Sequence, residues 1–127
     1  MNPISMSSYG KSPSFGMAFV KPNKEVLDHF VNVIEKLPPE GRKTFVSEVG
    51  KIVESAKDCP VPINHAMIGS YETKYAAVVD GKNVVGKSKY SGVANEIIAT
   101  MMLAAEKARD KADALNNVKK IYTIFGV

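Results

Sequence analysis

The segment from Tyr71 to Tyr90, YETKYAAVVDGKNVVGKSKY, most constrains the fold because its side chains alternate on either side of a run of turn-forming residues. Alternation with a period of two is typical of β-strands, and Asp80–Asn83 has the composition of a turn. Pairing Val79 with Val84 across this four-residue loop brings four valines into register. The segment therefore predicts a β-hairpin.

The two faces of this hairpin differ in chemistry. We predict one aromatic face, which carries Tyr71, Thr73, Tyr75, Ala77, Gly86, Ser88 and Tyr90. The other face is basic and carries Glu72, Lys74, Ala76, Val78, Val85, Lys87 and Lys89. We expect the aromatic face to pack against helices. In the predicted register Lys74 lies opposite Lys89, and such lysines either protect a solvated sheet edge or bind an anionic partner.

Two amphipathic helices precede the hairpin. Asn23 is a suitable N-cap, and apolar residues then recur every three or four positions up to Leu37. Pro38 and Pro39 end this helix, and Pro39 suits the first position of a second helix that ends before Pro60. A break this short predicts an antiparallel helix pair.

The longest helix is predicted from Val93 to Leu115 and is closed by Asn116 and Asn117. Its wide apolar stripe favours a homodimer through helix Val93–Leu115. The tail, VKKIYTIFGV, fits either a helical turn or a strand, and its β-branched and aromatic residues favour a strand near Ile121.

Together these elements predict an α+β fold in two layers, with a small antiparallel sheet centred on the hairpin Tyr71–Tyr90 and packed against three α-helices. The segments near Phe15 and Ile121 are expected to extend the sheet. The connection after Pro60 is expected to finish as a short strand near His65–Ile68. Residues 1–14 have the composition of a flexible lead, and residues 15–127 are predicted to form a single domain. We expect Tyr75, Val79, Phe30, Val49 and Ile98 to be buried, and Lys74, Lys87 and Lys89 to be exposed.

One catalytic motif has a formal match. Gly81–Ser88 satisfies G-x-x-x-x-G-K-[ST], the phosphate-binding loop of nucleotide enzymes. Such a loop needs small residues that wrap phosphates and a helix that starts at the Lys-Ser pair. Val84 and Val85 are β-branched, and the strong helical pattern starts only at Val93. Nucleotide binding at Gly81–Ser88 is therefore the weakest of three functional hypotheses.

A helix, three strands and a final helix follow one another over residues 39–112, and Gly86-Lys87-Ser88-Lys89 precedes the last helix. This order resembles that of double-stranded RNA-binding domains, and the lysine-rich segment is similar to the start of the last helix in that family. The resemblance implies binding of RNA.

No constellation of catalytic or metal-binding residues stands out. The single cysteine, Cys59, and the two histidines, His29 and His65, are too few for a zinc site and lack an identifiable orienting group. We therefore predict that the protein is not an enzyme, with no catalytic residue, no metal and no cofactor. One unpaired cysteine and the absence of a secretory signal or membrane span favour a cytoplasmic location without membrane contact.

The net charge of +4, from 17 Lys and Arg against 13 Asp and Glu, is only mildly basic. The leading hypothesis is a small regulatory protein, inhibitor-like or adaptor-like, that contacts a protein partner through the basic hairpin face. Binding of RNA or DNA by the same lysines is the alternative. The predicted contact residues are Lys74, Lys82, Lys87 and Lys89.

Overall fold

The computed structural model describes residues 18–127 as three helices and a three-stranded antiparallel sheet, which confirms the predicted two-layer α+β fold. The predicted lead, residues 1–14, lies outside the described residues. In chain order the elements are α1 (Lys24–Lys36), α2 (Pro39–Ser55), β1 (Ile63–Ile68), β2 (Lys74–Val79), β3 (Lys82–Val84) and α3 (Val93–Ile124).

Helices α1 and α2 begin where the sequence predicts. The Asn23 side chain accepts a hydrogen bond of 3.0 Å from the backbone N–H of Val26, as an N-cap does. Pro39 occupies the first position of α2, where its missing N–H removes no helical hydrogen bond. The buried residues of α1 and α2 are Val26, Val33, Phe45 and Ile52.

The hairpin has a tighter turn than predicted. Asp80 and Gly81 have φ angles of 54° and 75°, so a two-residue turn of type I′ joins β2 to β3. Val79 consequently pairs with Lys82, and the predicted pairing of Val79 with Val84 is wrong. Because the partner shifts by two positions, the same side chains stay on the same faces of the sheet.

The inner face of the sheet packs on the helices largely as predicted. Tyr75 and Val79 are buried, and Lys74, Lys87 and Lys89 are exposed. The other three residues predicted to be buried, Phe30, Val49 and Ile98, are only partly buried at the margin of the core. Tyr71 and Tyr90 are exposed because both lie beyond the ends of the strands.

A short segment adds to the sheet beside β1. Phe19 forms a parallel bridge with Ile63, and the backbone N–H of Val20 donates to the Ile63 carbonyl at 3.0 Å. The strand predicted near Phe15–Val20 is thus present at Phe19 and Val20. Residues 15–17 lie outside the described residues. Strand β1 also contains the short strand predicted at His65–Ile68.

Helix α3 is longer than predicted. It runs without interruption for 32 residues, about 48 Å, through Asn116 and Asn117 to Ile124. The prediction of a strand near Ile121 is therefore wrong. Asparagine costs well under 1 kcal/mol relative to alanine inside a helix, so two exposed asparagines are not enough to end one.

Candidate macromolecule-binding surface

Three of the four predicted contact residues lie at one end of the molecule. Lys74 begins β2, whereas Lys87 and Lys89 lie in the extended connection from β3 to α3. Extending the observed register past Val84 places Lys87, rather than Lys89, opposite Lys74. We call Lys74, Lys87 and Lys89 the lysine corner.

The fourth residue, Lys82, lies elsewhere. It follows the hairpin turn and pairs with Val79, which is five residues along β2 from Lys74. At 3.4 Å per residue the two lysines are about 17 Å apart along the strand. The sequence grouped Lys82 with the lysine corner, but the structure separates them.

Two neighbouring cavities border the lysine corner. Lys74 and Lys87 line a cavity of about 340 Å³, whose wall on the side of α3 includes Glu96 and Thr100. Lys87 and Lys89 line a second cavity, of about 650 Å³, together with Arg109 and other residues of α3. Lys87 therefore stands between two depressions that a partner could fill.

The electrostatic balance at this corner is positive. The first cavity has two lysines against Glu96, and the second has Lys87, Lys89 and Arg109 against Glu106. The four ion pairs within residues 18–127 use other lysines, namely Lys24, Lys51, Lys57 and Lys111. The first residue of α3, Val93, lines the first cavity, and the partial positive charge of a helix N-terminus adds to that of the lysines.

The connection that carries Lys87 and Lys89 is held tightly against α3. The backbone N–H of Gly86 donates to Thr100 Oγ1 at 3.0 Å, and both residues are buried. A Cβ atom at Gly86 would overlap the carbonyl oxygen of Ala99 and would lie 2.8 Å from the backbone nitrogen of Thr100. Glycine at this position therefore permits the connection to approach helix α3 closely.

The motif at Gly81–Ser88 does not have the geometry of a phosphate-binding loop. Its first half forms the hairpin turn and β3, and its second half has no regular secondary structure. Helix α3 begins at Val93, five residues after Ser88, so the motif does not lead into a helix N-terminus. The Gly86 N–H is already bonded to Thr100.

The second glycine of the motif, Gly86, thus has a structural explanation, which is the close contact between the connection after β3 and helix α3.

His65 is fully engaged in structural hydrogen bonds. Its Nε2 lies 2.7 Å from the carbonyl oxygen of Val20 and must donate, because a carbonyl only accepts. Its Nδ1 lies 2.7 Å from Tyr75 Oη and therefore accepts the phenol proton. Burial lowers the pKa of His65 and raises the pKa of Tyr75 above its ordinary value. Both groups are neutral and join the segment at Val20 to the sheet.

The remaining candidates for chemistry show no paired arrangement. The Cys59 thiol is buried and lies 3.9 Å from the carbonyl oxygen of Val61. His29 is on α1, and desolvation lowers its pKa. Within residues 18–127 no cluster of three or more His, Cys, Asp or Glu side chains has a geometry suited to a metal ion.

The sequence did not identify the residues of α3 that form the walls of the two cavities. Glu96, Thr100, Glu106 and Arg109 fall on one long helix, and their separation in sequence from the lysines gives no signal of proximity. Only the docking of α3 on β2 and β3 brings them to the lysine corner.

Comparison of the chain with protein-family models, with curated proteins and with solved structures found no match in any of the three. The similarity to double-stranded RNA-binding domains is thus one of element order. Over residues 18–127, none of the helices combines the length and the apolar character that crossing a bilayer requires.

Proposed function

We propose that the protein is a non-enzymatic binding protein that contacts an acidic surface of a protein partner through the lysine corner. The observation that carries this proposal is the convergence of Lys74, Lys87 and Lys89, all exposed and outside the ion pairs of the described chain, beside two adjoining cavities. Exposed lysines that are not held in ion pairs attract an anionic partner and increase its association rate.

A second candidate function is the binding of nucleic acid by the same corner. It is favoured by the order α2, β1, β2, β3 and α3, in which the three strands form one antiparallel sheet and the lysines precede the last helix. Phosphate groups would take the place of the partner's carboxylates. Binding that neutralises phosphates releases counterions and therefore weakens steeply with salt.

The test replaces all three lysines of the corner by glutamate and uses the variant as bait in a pull-down from the native host. A matched control carries Lys21→Glu, Lys43→Glu and Lys107→Glu, at exposed positions that line neither of the two cavities. Three such substitutions change the formal charge by six units, from +4 to −2, in both variants. The partner should be lost from the first variant and kept by the control. If the first variant keeps its partner, the lysine corner is not the contact surface.

Nuclease treatment and salt then separate the two candidate functions. A protein partner should remain bound after nuclease treatment. For nucleic acid, three phosphate contacts predict a loss of affinity of about 40-fold between about 50 mM and about 200 mM salt, measured by fluorescence anisotropy with a labelled RNA duplex. Binding of the duplex with this salt dependence would favour the second candidate over the first.

A further inference from the structure

The C-terminal half of α3 exposes a continuous apolar surface. Leu115, Val118, Ile121, Tyr122 and Phe125 lie on one side of the helix and are between 44% and 75% exposed. We call these five residues the terminal stripe. Other exposed apolar residues among those described occur mainly as isolated positions, which is normal for a soluble protein surface.

The terminal stripe continues the pattern that anchors α3 to the sheet. Met101, Ala104 and Ala108 are buried against the chain's own core, at spacings of three and four residues. The same alternation of three and four gives Lys111, Leu115, Val118, Tyr122 and Phe125. A helix whose apolar residues repeat in this way presents one seam along its length.

The helix leaves the body of the domain at Lys111. The Lys111 ammonium forms an ion pair of 3.3 Å with Asp80 in the hairpin turn. Leu115, one turn later, still borders a cavity formed with the connection Pro60–Pro62. Beyond it, no described residue covers the stripe, and every residue from 113 to 127 is exposed. The seam thus changes from buried to exposed where the sheet ends.

The area of the stripe fits a small specific interface. An aromatic side chain buries about 150–250 Å², so Tyr122 and Phe125, at 55% and 75% exposure, expose on the order of 250 Å² together. The three aliphatic residues, each about half exposed, add a similar area. Two such stripes would bury about 1,000 Å² in total, which is the lower bound for a specific interface.

We propose that the terminal stripe binds the same stripe of a second copy of this chain. Two identical seams with heptad spacing fit each other by inserting the side chains of one helix between those of the other. A two-fold symmetric contact buries the same patch on both copies.

The charges along the helix are compatible with such a pair. The positions that flank the seam are Ala112, Ala114, Lys119 and Gly126, so Lys119 is the only charged flanking residue. Asp113 and Lys120 lie on the opposite side of the helix, where they remain in solvent. Lys111 lies where the seam leaves the body and is paired with Asp80, and the terminal stripe beyond it contains no charged residue.

This surface differs from the one that the sequence favours. The predicted homodimer used helix Val93–Leu115, but most of the apolar stripe from Ile97 to Ala108 is buried against the chain's own sheet and helices. The contact between copies moves to the part of α3 that extends past the body. It is also separate from the lysine corner, which lies at the opposite end of α3.

Sedimentation velocity of the 127-residue chain tests the proposal over a range of about 1 to 200 µM, which spans micromolar affinities. The parent should shift from monomer to dimer across this range. Val118→Glu combined with Phe125→Glu should weaken the dimer by at least about tenfold, because each copy would bring two charges into the seam. Both positions are exposed, so circular dichroism should show that the variant stays folded.

The matched control carries Val31→Glu and Val46→Glu, which are 50% and 56% exposed on α1 and α2. It should dimerise like the parent. A parent that stays monomeric at the highest concentration would overturn the proposal. The terminal stripe would then be covered by another segment of the chain or by a different partner. A dimer that survives the stripe variant, or that the control variant disrupts equally, would overturn it as well.

Discussion

Replacing Gly86 by alanine should destabilise the protein more than a single methyl group suggests. The added Cβ would overlap the carbonyl oxygen of Ala99 and would crowd the backbone nitrogen of Thr100. Both are backbone atoms of α3, so they cannot rotate away as a flexible side chain does. Either the connection or the helix must move, and the buried hydrogen bond from Gly86 N–H to Thr100 Oγ1 is then strained or lost.

The expected magnitude follows from these two effects. Forcing an extra methyl group into a closely packed site costs about 1–3 kcal/mol. Weakening one buried hydrogen bond costs about 1 kcal/mol more. Gly86→Ala should therefore lower the free energy of unfolding by about 2–4 kcal/mol, a large fraction of the roughly 5–15 kcal/mol that stabilises a typical domain. Gly86 does not have the left-handed φ of Gly81, so no cost of backbone conformation is added to these two effects.

Urea denaturation followed by far-UV circular dichroism measures this change. Gly50→Ala is the matched control, because Gly50 lies within α2 and a Cβ there meets nothing within 4 Å. That substitution should stabilise the protein by about 0.5–1 kcal/mol through helix propensity. If Gly86→Ala leaves the free energy of unfolding within about 0.5 kcal/mol of the parent, a threshold set by ordinary surface substitutions, the close contact between the connection and α3 is wrong.

Two further predictions concern the first strand and the first helix. The pKa of His65 is lowered by burial, so the neutral ring contributes stability that is complete above the ordinary pKa near 6.5 and is lost as the pH falls. Thermal unfolding should thus show that the parent loses stability more steeply than His65→Gln between about pH 7 and about pH 5. The two slopes should differ by at most about 1.4 kcal/mol per pH unit. Equal slopes would refute the assignment of a neutral His65. Asn23→Ala removes the acceptor for the Val26 N–H and should cost about 1 kcal/mol in urea denaturation, whereas Asn23→Asp should be nearly neutral. An alanine variant as stable as the aspartate variant would show that this cap contributes nothing.

The local elements followed from short-range patterns. The three- and four-residue spacing of apolar side chains located α1 and α2, and proline placed the boundary between them. The period of two assigned the faces of the hairpin correctly even though the register was wrong. A register error of two positions leaves the faces unchanged, and the choice between a two-residue and a four-residue loop depends on whether Asp80 adopts a positive φ.

The candidate site was only partly predictable. The lysines were identifiable as exposed residues on a basic hairpin, but their grouping depended on register and on the path from β3 to α3. The structure removes Lys82 from the group and adds residues of α3 that are up to 35 positions away from Lys74 in sequence. Such proximity arises from tertiary packing, which a short-range pattern does not encode.

The C-terminal tail shows the same division. Val118, Ile121, Tyr122 and Phe125 fit a helix by spacing and a strand by residue type, and the sequence favoured the wrong alternative. What the sequence determined alone was local: two amphipathic helices, a hairpin with two different faces, and the start of a long final helix at Val93. Only the tertiary structure decided how far α3 extends past the sheet, because the sheet and the other helices cover the apolar seam as far as Ala108 and leave the terminal stripe exposed.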